Sequence, residues 1–431
     1  MNIPCYHVNA VQCRGYCSST ARRYLRWDQH VTVSCPASKS GNYRPRLSSP
    51  LGAILRHNLI HSLSLRYLLI VPVLLAIATA VVLFQHSDTN IYMLYSQCHA
   101  RSRVPWLSHV PLLGTPSCFL VSFFGEAAAS LRSSAILSVI FSFLAGLLTV
   151  STVEAARICN GPSILIAYPT GLWLIFDLIG GAFVWELIII PAFFHRSRKI
   201  ITSRRQDLPI SDTLSTHPIL GESMRHLART SETLAIPVAV ALGFVVPSAL
   251  MLTHTSPITV LIWLLFPVWT TFFRQSVRKL TTLPLARWSE SWQDSLHLES
   301  STLALARVYL LPILCSVVSQ ILLLWSLYQP DDRKEMTRST LKFITIDAFF
   351  VGLTVLYWIL VEAGWKVAAV MVFTSTVLGP GAGICLGWVY REATLNLTGA
   401  SESGVTVVVV GGDPRGREEG AEAGEDTPLL R

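Results

Sequence analysis

The sequence predicts an all-α fold, a polytopic transmembrane helical bundle with eight to nine spans. Of the 431 residues, 51% are hydrophobic and only 14% are charged. Soluble domains carry about 25% charged residues, so this chain is too poor in charge for a soluble protein of its length. Apolar runs of about 20 residues, the length that crosses a bilayer as a helix, recur along the chain. No internal repeat and no soluble domain is apparent.

The distribution of charge divides the chain into three parts. Residues 1–65 are polar, rich in serine and arginine, and are predicted to form a basic, disordered N-terminal tail. Residues 66–392 are predicted to form the helical bundle, and residues 393–431 an acidic, disordered C-terminal tail. A basic tail favours the cytosol and anionic membrane lipid. We expect no nucleic-acid partner, because no nucleic-acid-binding fold signal accompanies the charge.

Nine apolar segments are long enough to be predicted as spans. In chain order they are residues 66–85, 111–131, 135–153, 164–194, 234–252, 257–273, 303–328, 343–361 and 365–390. The fourth segment exceeds one bilayer crossing, so we expect it to tilt or kink around Pro169, Gly180 and Gly181.

The positive-inside bias predicts the orientation of these spans. It places the N-terminal tail and the arginine-rich loops after the fourth and sixth spans in the cytosol. Nine crossings then leave the C-terminal tail in the lumen and bring Glu154, Asp347 and Glu392 to the lumenal face. The chain is predicted to be a multi-pass integral membrane protein located in the endoplasmic reticulum.

Glu154, Arg157 and Asn160 lie at the end of the third apolar segment. Ionisable groups at a membrane span are candidates for function. Residues three apart share a helix face, so Glu154 and Arg157 can pair. Two interpretations remain open: a salt bridge that fixes a helix end, or part of an active site.

Other acids lie within apolar segments, among them Glu126, Asp177, Glu186 and Asp347. Desolvation disfavours the charged form of such carboxyl groups, so they can retain a proton and donate it to a bound substrate. Tryptophan and phenylalanine side chains nearby offer π-faces to a carbocation. The alternatives are hydrogen bonds between helices for the acids and packing for the aromatic residues. Familiar hydrolase and nucleotide-binding motifs are absent.

Several segments in a fixed order carry a resemblance to a known family. They are residues 111–124, 154–160, 235–247, 263–267, 341–347 and 378–392. In this order they resemble the fungal integral-membrane terpene cyclases of the ascochlorin-pathway type. The resemblance implies protonation-initiated, cationic cyclisation of a prenylated, meroterpenoid-type and often epoxidised lipophilic substrate in secondary-metabolite biosynthesis. It implies an enzyme of the isomerase or lyase type with no metal or redox cofactor, and other pathway enzymes as partners.

The resemblance also implies roles for individual residues. Carried over by position, Glu154 and Asp347 would be the proton donor and the cation stabiliser. Arg157 and Asn160 would orient Glu154, and Glu392 is a third acidic candidate.

Two other functions remain open at this level. The first is a non-enzymatic transporter or accessory membrane protein for a lipophilic metabolite, for which inverted repeats with broken helices would be typical. The second is a prenyltransferase, which requires Mg²⁺-binding aspartate clusters inside the bundle. Only the run from Asp331 to Glu335 has a matching DDxxE pattern, and its interspersed basic residues favour a solvated charge run.

Overall fold

The computed structural model describes residues 63–86, 92, 94, 96, 114–206, 226–282, 296, 298 and 301–402. The regular structure of these residues is helical, without strands, so the predicted all-α fold is confirmed. Residues 1–62 of the predicted N-terminal tail and residues 403–431 of the predicted C-terminal tail lie outside the described residues, and residues 393–402 are helical.

The helices follow in chain order. The first are α1 (Leu65–His86), α2 (Gly114–Ala127) and α3 (Leu131–Ala156). A 3-10 turn at Ile158–Asn160 leads to α4 (Ile164–Ala167), α5 (Thr170–Ile179), α6 (Gly181–Val184), a π-helical turn (Trp185–Ile189) and α7 (Ile190–Gln206). Next are α8 (Glu232–Val240), a π-helical turn (Ala241–Val245), α9 (Val246–Thr253), α10 (Pro257–Leu264) and α11 (Phe266–Thr282). The last are α12 (Thr302–Leu327), α13 (Glu335–Ala363), α14 (Trp365–Leu378) and α15 (Pro380–Glu402).

Several of these helices are long and apolar enough to cross a membrane, as in a multi-pass membrane protein. Five qualify: α1, α3, the run from α8 through α9, α12 and α13. The pair α10 and α11 makes a sixth if it counts as one span bent by 60°. The bend lies just before Pro267, which cannot donate a backbone hydrogen bond to continue the preceding helix. Helix α3 is the most enclosed, with 78% of its most apolar stretch buried.

The segment predicted as the fourth span turns back on itself at Gly180. Helix α5 ends there, and Gly180 has a φ of 114°, which glycine adopts without steric cost. Near the end of the segment, Arg196 Nε in α7 donates to the Cys159 carbonyl oxygen at 2.7 Å. A continuous helix would separate residues 37 positions apart by about 55 Å. The segment therefore enters the bundle and returns to the end from which it came. The expected kink at Gly180 is confirmed, but it is a reversal.

The segment predicted as the ninth span has the same form. Helix α14 ends before Gly379, whose φ is 94°, and α15 begins directly after it. The turn lies at mid-depth, because Ser316 Oγ in the middle of α12 donates to the Leu378 carbonyl oxygen at 3.2 Å. Arg391 in α15 then binds Glu362, which precedes α14 in the chain. Residues 365–390 thus form a second helical hairpin, and they do not cross the bundle as one helix.

Both hairpins open at the end of the bundle that holds Glu154. The chain after the first hairpin lies there too, since Ala228 N donates to the Ala156 carbonyl oxygen at 3.0 Å and Ile158 N donates to that of His226 at 3.0 Å. This corrects the predicted orientation, which put Glu154 and the arginine-rich loop after the fourth segment on opposite faces. The physical reason is that a segment which returns adds no crossing between them.

Candidate active site

A buried ion cluster surrounds Glu154 at the end of α3. Arg157 ends that helix with an extended backbone, and its Nε donates to Glu154 Oε1 at 3.0 Å. The 3-10 turn that follows places Asn160 below the helix end. Its Nδ2 donates to Glu154 Oε2 at 3.0 Å and to the Glu154 carbonyl oxygen at 2.9 Å. The predicted pairing of Glu154 and Arg157 is therefore present, with Asn160 as a third member.

Helix α15 supplies the other side of the cluster. Trp388 Nε1 donates to Glu154 Oε1 at 3.2 Å, and Arg391 Nη1 approaches the same oxygen at 3.5 Å. The Arg391 guanidinium also binds Glu392 and Glu362, and it lies over the Trp388 ring at 4.3 Å from the centroid. Glu392 Oε1 is 3.5 Å from Arg157 Nη2. The cluster thus joins the ends of α3 and α13 to the middle of α15.

Every carboxylate of this cluster lies against a guanidinium group. Three carboxylates, Glu154, Glu362 and Glu392, face two guanidinium groups, and each of these five residues is at most 8% exposed. Both carboxylate oxygens of Glu154 accept hydrogen bonds from the protein. None of the five lines the large cavity described below. The cluster can hold three helices together, but its central carboxylate is not presented to a ligand.

The structure brings four of the five predicted site residues together here, namely Glu154, Arg157, Asn160 and Glu392. It does not bring Asp347 to them. Asp347 precedes Glu362 by 15 residues in α13, which corresponds to about 22 Å along a helix axis. The expected convergence of Asp347 with Glu154 and Glu392 therefore does not occur.

Asp347 instead lines an apolar cavity of about 560 Å³. The cavity lies among α1, α2, α3, α10, α13 and the turn of the first hairpin. Nine of its lining side chains are aromatic: Phe84, Phe119, Phe123, Phe124, Phe141, Phe176, Phe183, Trp263 and Phe343. Asp177 and Asp347 are the two ionisable side chains among its described lining residues. Its size and composition suit a lipophilic ligand with one reactive polar group.

Asp347 accepts two backbone hydrogen bonds at the hairpin turn. Its Oδ2 accepts from Gly181 N at 2.9 Å and its Oδ1 from Ala182 N at 3.0 Å. These amides begin α6, and the unpaired N–H groups of a helix start attract negative charge. A Cβ on Gly180 would lie 3.2 Å from Asp347 Oδ1, so the glycine also makes room for the carboxylate.

Asp177 is the less satisfied of the two acids. It lies three residues before the hairpin turn, and its Oδ2 is enclosed with no hydrogen-bond partner among the described residues. Leaving a buried polar atom unpaired costs about 1–3 kcal/mol, so such an atom calls for an explanation. Because Asp177 also lines the cavity, its carboxyl group is placed near a bound molecule, to which a carboxylic acid can donate a proton.

An aromatic wall faces the cavity from α10, α2 and α3. The Trp263 ring centroid lies 4.8 Å from that of Phe124 and 4.9 Å from that of Phe141. Trp263 Nε1 donates to Ser248 Oγ at 3.0 Å, which fixes the orientation of the indole. Electron-rich ring faces of this kind attract cations.

The Asp331–Glu335 run is occupied by protein partners. Asp332 caps α3 by accepting from Leu131 N at 2.7 Å, and Asp331 pairs with Arg333 Nε at 2.8 Å and Arg338 Nη2 at 3.0 Å. The Arg333 guanidinium holds the pKa of Asp331 well below its usual value. This arrangement agrees with a solvated charge run. Within the described ranges, no group of three or more histidine, cysteine, aspartate or glutamate side chains is placed to hold a metal ion.

Sequence reasoning singled out Asp177 as an acid in an apolar segment but did not include it among the site residues. It placed Trp388 and Arg391 in the last segment of the family resemblance but not among the site residues, and it missed Glu362. An aspartate three residues before a Gly-Gly pair was the available signal for Asp177, because the pair permits a chain reversal at mid-depth. No local signal identifies Glu362, whose partner Arg391 is 29 residues away.

In comparisons with known proteins, no family model, no curated protein and no solved structure matches the chain.

Proposed function

We propose that this chain is a membrane-bound terpene cyclase. Its substrate is a prenylated, meroterpenoid-type and often epoxidised lipophilic molecule of secondary metabolism, and the reaction is protonation-initiated cationic cyclisation. The observation that carries this proposal is the cavity, in which two carboxyl groups face a space otherwise walled by apolar and aromatic side chains. A proton donor, a place for a polyene chain and a surface that tolerates positive charge are the three requirements of such a reaction.

The cavity supports a specific division of work between its two acids. Asp177 donates its proton to the terminal epoxide oxygen or alkene, which breaks the C–O or π bond and leaves a carbocation. Successive alkenes then attack the cation and close the rings, and loss of a proton or internal capture ends the sequence. Asp347, held by two backbone amides, stabilises the cation as a fixed negative charge. The apolar walls exclude water, which would otherwise quench the cation.

This assignment keeps one predicted role and moves another. Asp347 remains the cation stabiliser that the family resemblance implies. The role of proton donor moves from Glu154 to Asp177, because the Glu154 oxygens are engaged by Arg157, Asn160 and Trp388. Arg157 and Asn160 then hold Glu154 in place as a tie between helices, and Glu392 belongs to the same tie.

The membrane arrangement that we propose uses all nine apolar segments. Counted over the described residues, it has six crossings, two hairpins that return to their end of origin, and the short helix α2. The arginine-rich end faces the cytosol, in line with the positive-inside bias. We place the protein in the endoplasmic reticulum membrane, with membrane lipid and other pathway enzymes as partners.

A transporter for a lipophilic metabolite is the second candidate, and one observation favours it. Broken helices that meet near the midplane are typical of secondary transporters, and both hairpins have that form. The described hairpins enter from the same end, however, whereas inverted repeats would enter from opposite ends. A prenyltransferase has less support, since Asp331 and Asp332 are paired with protein groups.

Expression of the full chain in a heterologous fungus fed farnesylated and geranylgeranylated epoxides tests the proposal. Wild type should yield cyclised product, and Asp177→Asn and Asp347→Asn should each lower product formation by about 100-fold or more, the usual contribution of a general acid. Glu186→Gln is the matched control, because Glu186 is buried but does not line the cavity. Full cyclisation by both aspartate variants would overturn the proposal. Uptake of the fed compound into vesicles without conversion would favour the transporter.

A further inference from the structure

The cavity has an opening on the side of the bundle. Three of its lining residues are also largely exposed: Phe84 is 89% exposed, Leu178 62% and Ile179 64%. Phe84 belongs to α1, and the other two are at the end of α5. These three side chains therefore form the rim of a mouth, which we call the side mouth.

The first hairpin explains why the side mouth exists. Its tip is Gly180, where Asp347 caps α6. The cavity extends beyond this tip along α13 to Phe343, which is one helical turn nearer the start of that helix than Asp347. A helix that turned back later would fill this space. The early reversal leaves it empty, and no helix of the described chain closes it from the side.

The side mouth lies beside an outer helix of the bundle. Only 28% of the most apolar stretch of α1 is buried, so α1 is an outer helix with apolar side chains on its free surface. The rim itself consists of one aromatic and two aliphatic side chains. By contrast, the end of the bundle near Glu154 carries buried ion pairs that an apolar chain would have to separate.

We propose that the cavity takes its ligand sideways from the hydrocarbon layer through the side mouth, and that this ligand is an isoprenoid chain already dissolved in the bilayer. That this isoprenoid chain is a cyclisation substrate rests on the proposed function. The route of entry does not rest on it, because the route follows from the positions of the side mouth and of the charged end of the bundle near Glu154.

The experiment measures how fast an isoprenoid chain enters the cavity from the bilayer. The full-length protein is reconstituted in phosphatidylcholine vesicles and mixed with a farnesyl probe that carries a diazirine. Samples are illuminated at increasing times, and labelled cavity peptides are quantified by mass spectrometry. Leu178→Trp should slow labelling several-fold while the final extent is retained, because a wider side chain narrows the mouth. Leu178→Ala should label at least as fast as wild type.

Ile321→Trp is the matched control, since Ile321 is 60% exposed on α12 and does not line the cavity. It should label at the wild-type rate. An unchanged rate in Leu178→Trp, or an equal slowing in Ile321→Trp, would overturn the side route. A lower final extent in Leu178→Trp would do the same, because it would mean that the indole fills the cavity.

The outcome is independent of the test of the proposed function. If the labelling pattern holds but wild type converts no prenylated epoxide, the cyclase proposal fails and the side route stands. If wild type converts the epoxide but Leu178→Trp is labelled at the wild-type rate, the side route fails and the cyclase proposal stands.

Discussion

The ion cluster around Glu154 and the cavity around Asp347 both contain acidic side chains inside the bundle, but the two sites differ in how many hydrogen-bond donors engage the carboxyl groups. In the cluster, Glu154 accepts hydrogen bonds on both oxygens and lies against two guanidinium groups. In the cavity, Asp177 has an enclosed oxygen without a partner among the described residues, and Asp347 accepts hydrogen bonds from two backbone amides.

The difference shows that residue type and depth do not distinguish a structural acid from a reactive one. What distinguishes them is the number of donors that already engage the carboxyl oxygens and whether the residue lines a cavity. On that measure the cluster holds helices together, and the cavity is where the proposed proton transfer to a ligand would occur.

Removal of the cation at the centre of the cluster should have the largest effect on stability. Arg391→Leu leaves Glu362, Glu392 and Glu154 short of a shared partner, and breaking a buried ion pair costs about 3–5 kcal/mol. Denaturant unfolding in detergent measures the loss. Arg338→Leu is the control, because Arg338 pairs at the surface, where an ion pair contributes about 0–1 kcal/mol. Equal losses in both variants would contradict the description of the cluster as a tie.

Neutralising Glu154 tests the division between cluster and cavity directly. Glu154→Gln keeps the side-chain shape but replaces a charged acceptor, so we expect a loss of about 1–3 kcal/mol in unfolding free energy. Cyclisation per folded molecule should persist, unlike in Asp177→Asn. The measurement is product formation normalised to folded protein in the membrane. A folded but inactive Glu154→Gln would return the role of proton donor to Glu154.

The smallest effect is expected at the charge run before α13. The Arg333 guanidinium lowers the pKa of Asp331. A carboxyl group with a lowered pKa contributes stability above its unfolded pKa, about 3.9 for aspartate, and this contribution is lost as pH falls through the folded pKa. Asp331→Asn should therefore lower the melting temperature slightly at neutral pH, because the ion pair lies at the surface, and should weaken the decline of the melting temperature in strong acid. A large loss at neutral pH would mean that this run, too, is a structural tie.

The sequence by itself determined the class of fold and the positions of its apolar helices. Composition indicates a membrane protein, and run length locates the apolar segments, because both depend only on how much apolar surface a stretch carries. Spacing was sufficient for the pair of Glu154 and Arg157, since residues three apart on a helix share a face. The glycines at 180 and 181 also marked a kink correctly.

Only the tertiary structure decided where the chain reverses and which acids remain available. Hydropathy depends on the number of apolar residues in a stretch and not on the direction in which the chain runs. A hairpin of two half-helices and a single span therefore have similar hydropathy profiles. The reversals at Gly180 and Gly379 set the end at which each later residue emerges, and thereby pair Arg391 with Glu362 and separate Asp347 from Glu154. Such contacts join residues far apart in the chain, and they depend on how whole helices pack.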